Sequence, residues 1–195
     1  MKQIQYPFSE ETVRGLRAGE VVQVSGRIFT GRDRLHKHLA EGGACPVSLR
    51  DGAIYHCGPV VVPQDGGWRV VAAGPTTSVR EEPYMAKIIA EHGVRVIIGK
   101  GGMGEATREA CARCGCVYLQ AVGGAAALLA QRIRKVESVY FIDEFGATEA
   151  LWQLDVEAFE TVVGIDAHGR DLFDEVKVSS GKALRCLTGA QEECG

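Results

Sequence analysis

Two glycine-rich segments, separated by about one strand–helix unit, contain the residues best suited to chemistry. Residues 74–80 read Gly-Pro-Thr-Thr-Ser-Val-Arg, and residues 99–104 read Gly-Lys-Gly-Gly-Met-Gly. Each segment follows a short apolar run and precedes a helical pattern, where glycines let backbone N–H groups approach a ligand and a helix N-terminus favours negative charge. With Arg80 and Lys100 added, the pair predicts a site for a small anion. The hydroxyl groups beside these cations, which suggest chemistry as well as binding, belong to Thr76, Thr77 and Ser78.

The glycine spacing of the second segment also matches a dinucleotide-binding fingerprint. Gly99, Gly101 and Gly104 follow an apolar run and precede a helical pattern, as that fingerprint requires. The acidic residue expected near the end of the following strand is missing, because residues 117–122 contain no Asp or Glu. Lys100 would crowd a pyrophosphate but suits a smaller anion. A small-anion site therefore ranks first, a purely structural turn second and a dinucleotide site third.

Three closely spaced cysteines resemble a metal-binding motif. Cys111, Cys114 and Cys116 form a C-x2-C-x-C pattern, but a closed zinc or iron–sulfur site generally needs four ligands and no companion pair lies nearby. Buried thiols are the favoured interpretation, and a metal site is the disfavoured alternative. We expect no metal ligands in this chain. The isolated cysteines with the same interpretation are Cys45, Cys57 and Cys186.

Among the histidines, one lies at a position of functional interest. His36 is one helical turn beyond Arg32, at another predicted strand-to-helix junction. His56 is predicted in a loop and His168 in a turn, and both are expected to be solvated. Sequence therefore directs attention only to His36.

Alternating strands and helices must position these residues. A strand is predicted at residues 21–30 and a short helix at 33–41, followed by loops and short strands over 44–67. From residue 68 the alternation becomes regular and predicts an α/β fold of βα repeats, with parallel strands and helices packed on the sheet. The predicted strands are 68–73, 94–98, 117–122 and 139–142. The predicted helices include 105–114 and 125–136.

The C-terminal part is predicted to differ from these repeats. Residues 161–165 and 172–178 flank a turn that contains Gly169, which predicts a hairpin. Residues 179–195 show no convincing period and are predicted to be a flexible tail. A single domain is therefore expected over residues 1–178.

Composition excludes several functional classes. The 195 residues carry a net charge of −3 and are 46% hydrophobic, which gives no indication of binding to nucleic acid or to an anionic membrane. No signal peptide is visible, and no apolar stretch reaches the ~18 residues that span a bilayer. Seven cysteines without a secretion signal are expected to be reduced thiols. These observations predict a cytoplasmic protein.

Five segments, taken in order, form a recognisable series. They are residues 26–33 with His36, 55–59, 74–80, 98–103 and 123–127. The series resembles the β subunit, or C-terminal domain, of the iron–sulfur hydro-lyases, namely class I fumarase and L(+)-tartrate dehydratase. The resemblance covers roughly residues 10–178, and its most specific parts are Gly-Pro-Thr-Thr and Gly-Lys-Gly-Gly-Met.

This resemblance implies a fold, a cofactor and a partner. The fold would be a three-layer β/β/α swivelling domain. A [4Fe–4S] cluster would be bound by three cysteines of a separate α subunit, in a heterotetramer of two α and two β subunits. Arg32, Arg80 and Lys100 would grip the carboxylates of a dicarboxylate substrate, and Thr76 would exchange the proton beside a carboxylate. The resemblance further assigns a catalytic role to Lys100 and substrate contacts to Thr77 and Gly101.

The resemblance predicts reversible hydration of fumarate to malate, with L(+)-tartrate dehydration to oxaloacetate as the alternative. A non-catalytic module that binds an anion or a nucleotide is the alternative from another class. One departure bears on the substrate, because the family often has Met and then an acid after the Arg of the first segment. This chain has Glu81 and Glu82 there, which are expected to alter the edge of the site or to serve as helix-start charges.

Overall fold

The computed structural model describes residues 1–188, which form nine strands and seven α-helices. The strands are β1 (Lys2–Gln5), β2 (Val21–Gly31), β3 (Ala53–His56), β4 (Val60–Gln64), β5 (Gly67–Ala72), β6 (Val96–Gly99), β7 (Val117–Gln120), β8 (Ile133–Tyr140) and β9 (Leu151–Ile165). The helices are α1 (Glu10–Arg14), α2 (Asp33–Ala40), α3 (Glu82–His92), α4 (Glu105–Cys114), α5 (Ala126–Ala130), α6 (Ile142–Phe145) and α7 (Leu172–Thr188). A 3₁₀ turn, Ser78–Glu81, precedes α3. No helix among the described residues is long and apolar enough to span a membrane.

Seven strands form the main sheet, in the order β1-β2-β3-β6-β7-β9-β8. The pairs β1–β2, β2–β3, β3–β6 and β6–β7 are parallel, whereas β9 runs antiparallel to its neighbours. Strand β9 also pairs with β2, which closes β2, β3, β6, β7 and β9 into a ring. All four residues of β3 and of β6 are buried, which explains their nearly continuous apolar sequence.

Two hydrophobic cores flank this sheet. Alternate residues of a strand point to opposite faces, so Val96 and Ile98 enter one core while Ile97 enters the other. The core that contains Ile97 packs against α2, α3 and α4. The core inside the strand ring also receives α1, α5 and β5. The predicted mixed α/β class and the parallel central strands are confirmed.

The prediction of one helix over residues 125–136 was wrong. Helix α5 ends at Ala130, and β8 begins at Ile133. The apolar residues Ile133, Val136 and Val139 recur every three positions, as on a helix, and all three pack on the inner core. Irregularities between Ile133 and Lys135, and between Val136 and Ser138, shift the register of β8 against β9. A bulged strand thereby presents a spacing that normally indicates a helix.

The predicted C-terminal hairpin was also wrong. Strand β9 ends at Ile165, but residues 172–178 begin helix α7 instead of a second strand. The Asp171 carboxylate accepts a hydrogen bond from the Phe173 N–H at 2.8 Å, which satisfies one of the free donors at the start of the helix. Helix α7 continues through residues 179–188 of the predicted tail, and residues 189–195 lie outside the described residues.

Residues 68–73 were assigned to the wrong sheet. They lie largely within β5, which pairs antiparallel with β4 in a separate two-stranded sheet. The strand that precedes β6 in the parallel sheet is β3, from a segment in which only loops and short strands were predicted. The segment after β5 must therefore return to the main sheet.

Candidate active site

The predicted junctions meet where parallel strands of the main sheet end. Strands β3 and β6 end at His56 and Gly99, so the segments that follow them emerge at the same edge. Two isolated β-bridges attach the segment after β5 to this edge, one between Cys57 and Pro75 and the other between Thr77 and Lys100. In both open and closed parallel sheets, ligands bind at the edge formed by the carboxyl ends of the strands. Tertiary structure thus brings residues 74–80 against residues 99–101.

A buried serine ties these segments together. Ser78 Oγ accepts a hydrogen bond from the Lys100 N–H at 3.1 Å and another from Tyr118 Oη at 3.2 Å. Because a hydroxyl has one proton, the remaining contact, at 2.9 Å, is donated by Ser78 to Nδ1 of His56. Ser78 therefore has a structural role beneath the site. The functional interest assigned to its hydroxyl belongs to Thr76 and Thr77.

Thr76 and Arg80, in the glycine-rich segment of residues 74–80, form part of the solvent-facing surface of the site. The Thr76 N–H donates to the carbonyl oxygen of His56 at 2.7 Å, which fixes the backbone at this position. Arg80 Nη2 donates to Thr76 Oγ1 at 2.7 Å and lies 3.4 Å from Oδ2 of Asp33. The Arg80 side chain is 44% exposed, so its remaining donors face solvent. A half-exposed guanidinium beside a threonine hydroxyl is suited to binding a carboxylate.

Arg32 directly precedes α2, and the first residue of that helix, Asp33, lies beside Arg80. Nη1 of Arg32 is 3.6 Å from Oε1 of Glu149, and the buried Nε of Arg32 has no hydrogen-bond partner among residues 1–188. A side chain on Gly58 would lie 2.9 Å from Cδ of Arg32 and 2.6 Å from the carbonyl oxygen of Thr148, so this close approach requires glycine. Arg32 is thus held at the site while part of its hydrogen-bonding capacity is unused.

Lys100 supplies a third cation. Unlike Arg32 and Arg80, it has no carboxylate partner within the described residues. Its side chain passes along the loop after β7, where a Cβ on Gly123 would be 3.7 Å from Lys100 Cδ. The exposed Thr77 lies beside it through the bridge between the two segments. Three separate stretches of sequence therefore contribute the cations Arg32, Arg80 and Lys100.

The backbone of the second segment does not form the open anion cradle predicted from its glycines. The Gly101 N–H donates to Gln120 Oε1 at 3.2 Å, and the Gly102 N–H donates to Tyr118 Oη at 3.3 Å. Gly101 and Gly102 adopt φ values of 82° and 81°, which side chains rarely tolerate. Gln120 ends β7, where a dinucleotide site would need an acidic residue.

The anion at the N-terminus of α4 comes from the protein itself. Oε2 of Glu82 accepts hydrogen bonds from the Gly104 N–H at 2.8 Å and from Thr107 Oγ1 at 2.6 Å, and its Oε1 accepts from the Thr107 N–H at 3.2 Å. Glu82 therefore neutralises this helix start instead of altering the edge of the site. An external anion at the site must rely on side-chain cations.

A buried layer of titratable groups lies directly below the cations. The side chains of His36, His56 and Glu81 are all fully buried. Burial lowers the pKa of His36 to about 4 and holds that of His56 well below its usual value, so both rings are neutral near pH 7. Burial also raises the pKa of Glu81 to about 8, and the nearby Asp33 carboxylate acts in the same direction.

Sequence reasoning missed most of this layer. It identified His36, whose Nδ1 donates to the Arg32 carbonyl oxygen at 2.9 Å. The expectation of a solvated His56 was wrong, because this residue ends a fully buried strand. Glu81 was expected as a charge at the helix start or site edge, but its carboxyl is turned into the protein. Nothing in the residues adjacent to His56 or Glu81 along the chain indicates that these side chains are buried.

The cysteine motif lies away from this site. Cys111 and Cys116 are buried at the C-terminal end of α4, about 15 Å along a ten-residue helix from the glycine segment at its start. Within residues 1–188, no three His, Cys, Asp or Glu side chains are placed to hold a metal ion. Burial raises the pKa of Cys116 well above its ordinary value, as expected for an inert thiol. The site residues thus offer cations and hydroxyls but no ligand set for an iron–sulfur cluster.

Comparison with known proteins identifies a matching family. The profile of the family described as Fumarase C-terminus matches residues 2–176. This match includes every cation of the site, its threonines and the buried layer beneath them.

The individual relatives are named either as fumarate hydratases or as β subunits of L(+)-tartrate dehydratase. A putative class I fumarate hydratase from Geobacillus stearothermophilus is 48% identical over 182 residues, which are 93% of this chain and 35% of the relative. This chain therefore spans about a third of that protein. A putative L(+)-tartrate dehydratase subunit β from Methanocaldococcus jannaschii is 36% identical over 95% of this chain and all of the relative. The L(+)-tartrate dehydratase subunit β of Escherichia coli K12 is 36% identical over 88% of this chain and 86% of its own length.

Proposed function

The chain belongs to the Fumarase C-terminus family, and from that premise we propose that it is the β subunit of an iron–sulfur hydro-lyase that hydrates fumarate reversibly to malate. The observation that carries this proposal is that Arg32, Arg80 and Lys100 lie at the same edge of the sheet as Thr76, whose hydroxyl accepts a hydrogen bond from Arg80. The 48% identity to a putative class I fumarate hydratase supports fumarate as the substrate.

The cations match the charge and shape of a dicarboxylate. A guanidinium can hold a carboxylate through two parallel hydrogen bonds, whereas an ammonium acts as a compact charge. In the proposed complex Arg80 and Arg32 bind carboxylates, and Lys100 provides a charge that no carboxylate among residues 1–188 neutralises. Thr77 and the surface of Gly101 line the same substrate position. Because the glycine N–H groups are engaged internally, these contacts favour a dicarboxylate over a nucleotide phosphate.

Thr76 is the proposed base for the carbon-bound proton. In the direction from malate to fumarate, a proton leaves the carbon beside a carboxylate and negative charge develops on that carboxylate. A neutral hydroxyl is a weak base, so Thr76 accepts this proton as an alkoxide. Its own hydroxyl proton first passes to solvent, and a neighbour must stabilise the negative charge left on its oxygen. The Arg80 donor, 2.7 Å from Thr76 Oγ1, meets this need, and Lys100 stabilises the charge that grows on the substrate.

The metal-containing half of the site is proposed to lie in a partner. A [4Fe–4S] cluster bound by an α subunit would supply a Lewis-acid iron for the substrate hydroxyl. The names of two relatives as β subunits support a separate partner, which we propose forms a heterotetramer of two α and two β subunits.

L(+)-tartrate is the second candidate substrate. The relatives named as tartrate dehydratase β subunits match over 86% to 100% of their own length, unlike the fumarate hydratase relative. Tartrate is also a dicarboxylate, so it would use the same three cations. We further propose the three-layer β/β/α swivelling architecture, which is supported by helices on one face of the sheet and a second wall of strands on the other.

The function is tested by reconstitution under anaerobic conditions. The chain is co-expressed with the cluster-bearing chain or domain from the same source, and the product is assayed on fumarate, malate and both tartrate enantiomers. We expect turnover and cluster absorbance only when both components are present, with fumarate and malate preferred. Preference for L(+)-tartrate would select the second candidate. A stable, active cluster on this chain alone would refute the two-component proposal, and binding without turnover in the complete assembly would favour a non-catalytic module.

A further inference from the structure

Glu81 lies at the centre of the buried layer without a satisfied carboxyl group. It is fully buried, and neither of its carboxyl oxygens has a hydrogen-bond partner within residues 1–188. Oε2 lies 3.5 Å from Nδ1 of His36, which already donates to the Arg32 carbonyl oxygen. Unsatisfied buried oxygens are costly, particularly on a charged group, so this arrangement needs a physical explanation.

Charged and titratable groups face Glu81 from three parts of the fold. Helix α2 contributes Asp33 and His36, the 3₁₀ turn contributes Arg80, and the turn before β9 contributes Glu149. Behind His36 lies the ring of His56 from β3, with centroids 4.9 Å apart. Two carboxylates therefore oppose ionisation of Glu81, while Arg80 alone among the named groups favours it. Because His36 is neutral near pH 7, it does not make Glu81 half of an ion pair.

The same carboxyl group is connected to the proposed base through two intermediate residues, Asp33 and Arg80. Asp33 faces Glu81 on one side and Arg80 on the other, where Oδ2 is 3.4 Å from Arg80 Nη2. That same Nη2 donates to Thr76 Oγ1. The geometry therefore runs from Glu81 through Asp33 and Arg80 to Thr76.

We propose that Glu81 is a positioning residue whose buried carboxyl retains its proton, directs it toward Asp33 and thereby holds Arg80 against Thr76. The protonated carboxyl can approach the Asp33 carboxylate without charge repulsion. If Glu81 ionised, the second negative charge would repel Asp33, compete with Thr76 for the Arg80 guanidinium and reduce the attraction for a dianionic substrate. The burial of Glu81, which raises its pKa to about 8, supports this assignment. The effect on catalysis rests on the proposed function, but the coupling from Glu81 to Arg80 does not.

The coupling is tested by nuclear magnetic resonance on the full chain. Carbon-13 labels on the Glu side-chain carboxyls and nitrogen-15 labels on the Arg side chains are followed during a pH titration. We expect the Glu81 carboxyl to ionise near pH 8 and the Arg80 resonance to move with the same midpoint. Glu81→Gln should abolish that movement, and Asp33→Asn should lower the Glu81 midpoint. Glu91→Gln, at an exposed carboxylate near the far end of α3, is the matched control and should change neither resonance.

In the assembled enzyme, we expect KM for fumarate to rise roughly tenfold as pH passes through that midpoint, with a smaller change in kcat. Glu81→Gln should retain the low KM and lose this pH dependence. The proposal would be overturned if the Arg80 resonance did not move when Glu81 ionises, or if the Glu81 carboxyl ionised near the ordinary pKa of a glutamate. If Glu81→Gln does not fold, the wild-type and Asp33→Asn titrations decide the question. Coupling without turnover of any dicarboxylate would retain the positioning role and reject the proposed function.

Discussion

Ser78 Oγ accepts a hydrogen bond from the Lys100 N–H at 3.1 Å, so a single buried hydroxyl connects the two segments that form the candidate site. The Ser78 N–H in turn donates to the Lys100 carbonyl oxygen at 3.0 Å. This reciprocal pair holds Thr77 beside Lys100 even though the preceding strand belongs to another sheet. Precise placement of the Thr76 hydroxyl relative to the Lys100 cation depends on this internal connection.

Gly99→Ala should disrupt that connection. A Cβ at position 99 would lie 1.8 Å from Ser78 Oγ and 3.2 Å from Nδ1 of His56. We expect the free energy of unfolding to fall by roughly 1–3 kcal/mol, because an extra methyl group must displace buried atoms. Chemical denaturation measures the effect, and the control is Gly181→Ala in α7, where the end of the Arg185 side chain is the only group of residues 1–188 within 4 Å. Ser78→Ala combined with Gly99→Ala should cost less than the sum of the single changes, whereas additive costs would contradict the proposed clash.

Arg80→Lys should weaken substrate binding while sparing the fold. An ammonium cannot reproduce the fork that contacts Thr76 and Asp33 while it also binds a carboxylate. We expect kcat/KM for fumarate to fall roughly 10- to 100-fold, the value of a lost charge-assisted hydrogen bond. Steady-state kinetics of the assembled enzyme measures this loss. Arg113→Lys, at an exposed position near the end of α4, should retain normal kinetics, and normal kinetics for Arg80→Lys would remove Arg80 from the site.

Thr76→Val tests the proposed base. The substitution keeps a branched side chain of similar size and preserves the backbone hydrogen bond to His56, but it removes the oxygen that Arg80 contacts. Loss of a proton-transfer group predicts a kcat decrease of roughly 10² to 10⁴. Thr76→Ser should recover turnover to within about tenfold of the wild type, since it restores the hydroxyl. Solvent-deuterium exchange into malate offers a second measurement, and unimpaired exchange in Thr76→Val would exclude Thr76 as the base.

Glu81 should make folding stability depend on pH. Its folded pKa of about 8 lies above its ordinary value of 4.5, so the folded protein binds more protons than the unfolded chain between these values. Stability from this group is therefore fully present below about pH 4.5 and is lost as pH rises through about 8. Relative to wild type, Glu81→Gln should gain roughly 2–4 kcal/mol across this interval.

Urea denaturation of both proteins at about pH 5 and about pH 8 measures that difference. His36 has the opposite dependence, because its folded pKa of about 4 lies below its ordinary 6.5, and stability from this group is lost as pH falls through about 4. That contribution is common to both proteins and cancels in the comparison. A pH-independent difference between wild type and Glu81→Gln would show that Glu81 is ionised alike in both states.

The local sequence was sufficient to predict secondary structure where interactions between residues close along the chain determine it. The apolar runs at residues 94–98 and 117–122 predicted buried parallel strands, and the structure confirms both as β6 and β7. The same reasoning failed at residues 133–136, because register shifts give a strand the apolar spacing of a helix. It also failed at residues 172–178, where a helix replaces the second strand of a hairpin. In each failure, pairing with β9 or its absence decided the structure.

The sequence by itself determined the chemical inventory of the candidate site: the residue types Thr76, Arg80 and Lys100, their place at strand-to-helix junctions, and their resemblance to a hydro-lyase family. Tertiary structure alone decided how those groups are used. It placed the Glu82 carboxylate at the start of α4, where the glycine pattern predicted a bound ligand, and it buried Glu81 beneath Asp33. Periodicity and turn chemistry depend on residues that are neighbours along the chain. Burial, pKa and hydrogen-bond satisfaction depend on neighbours in space, which only the folded chain defines.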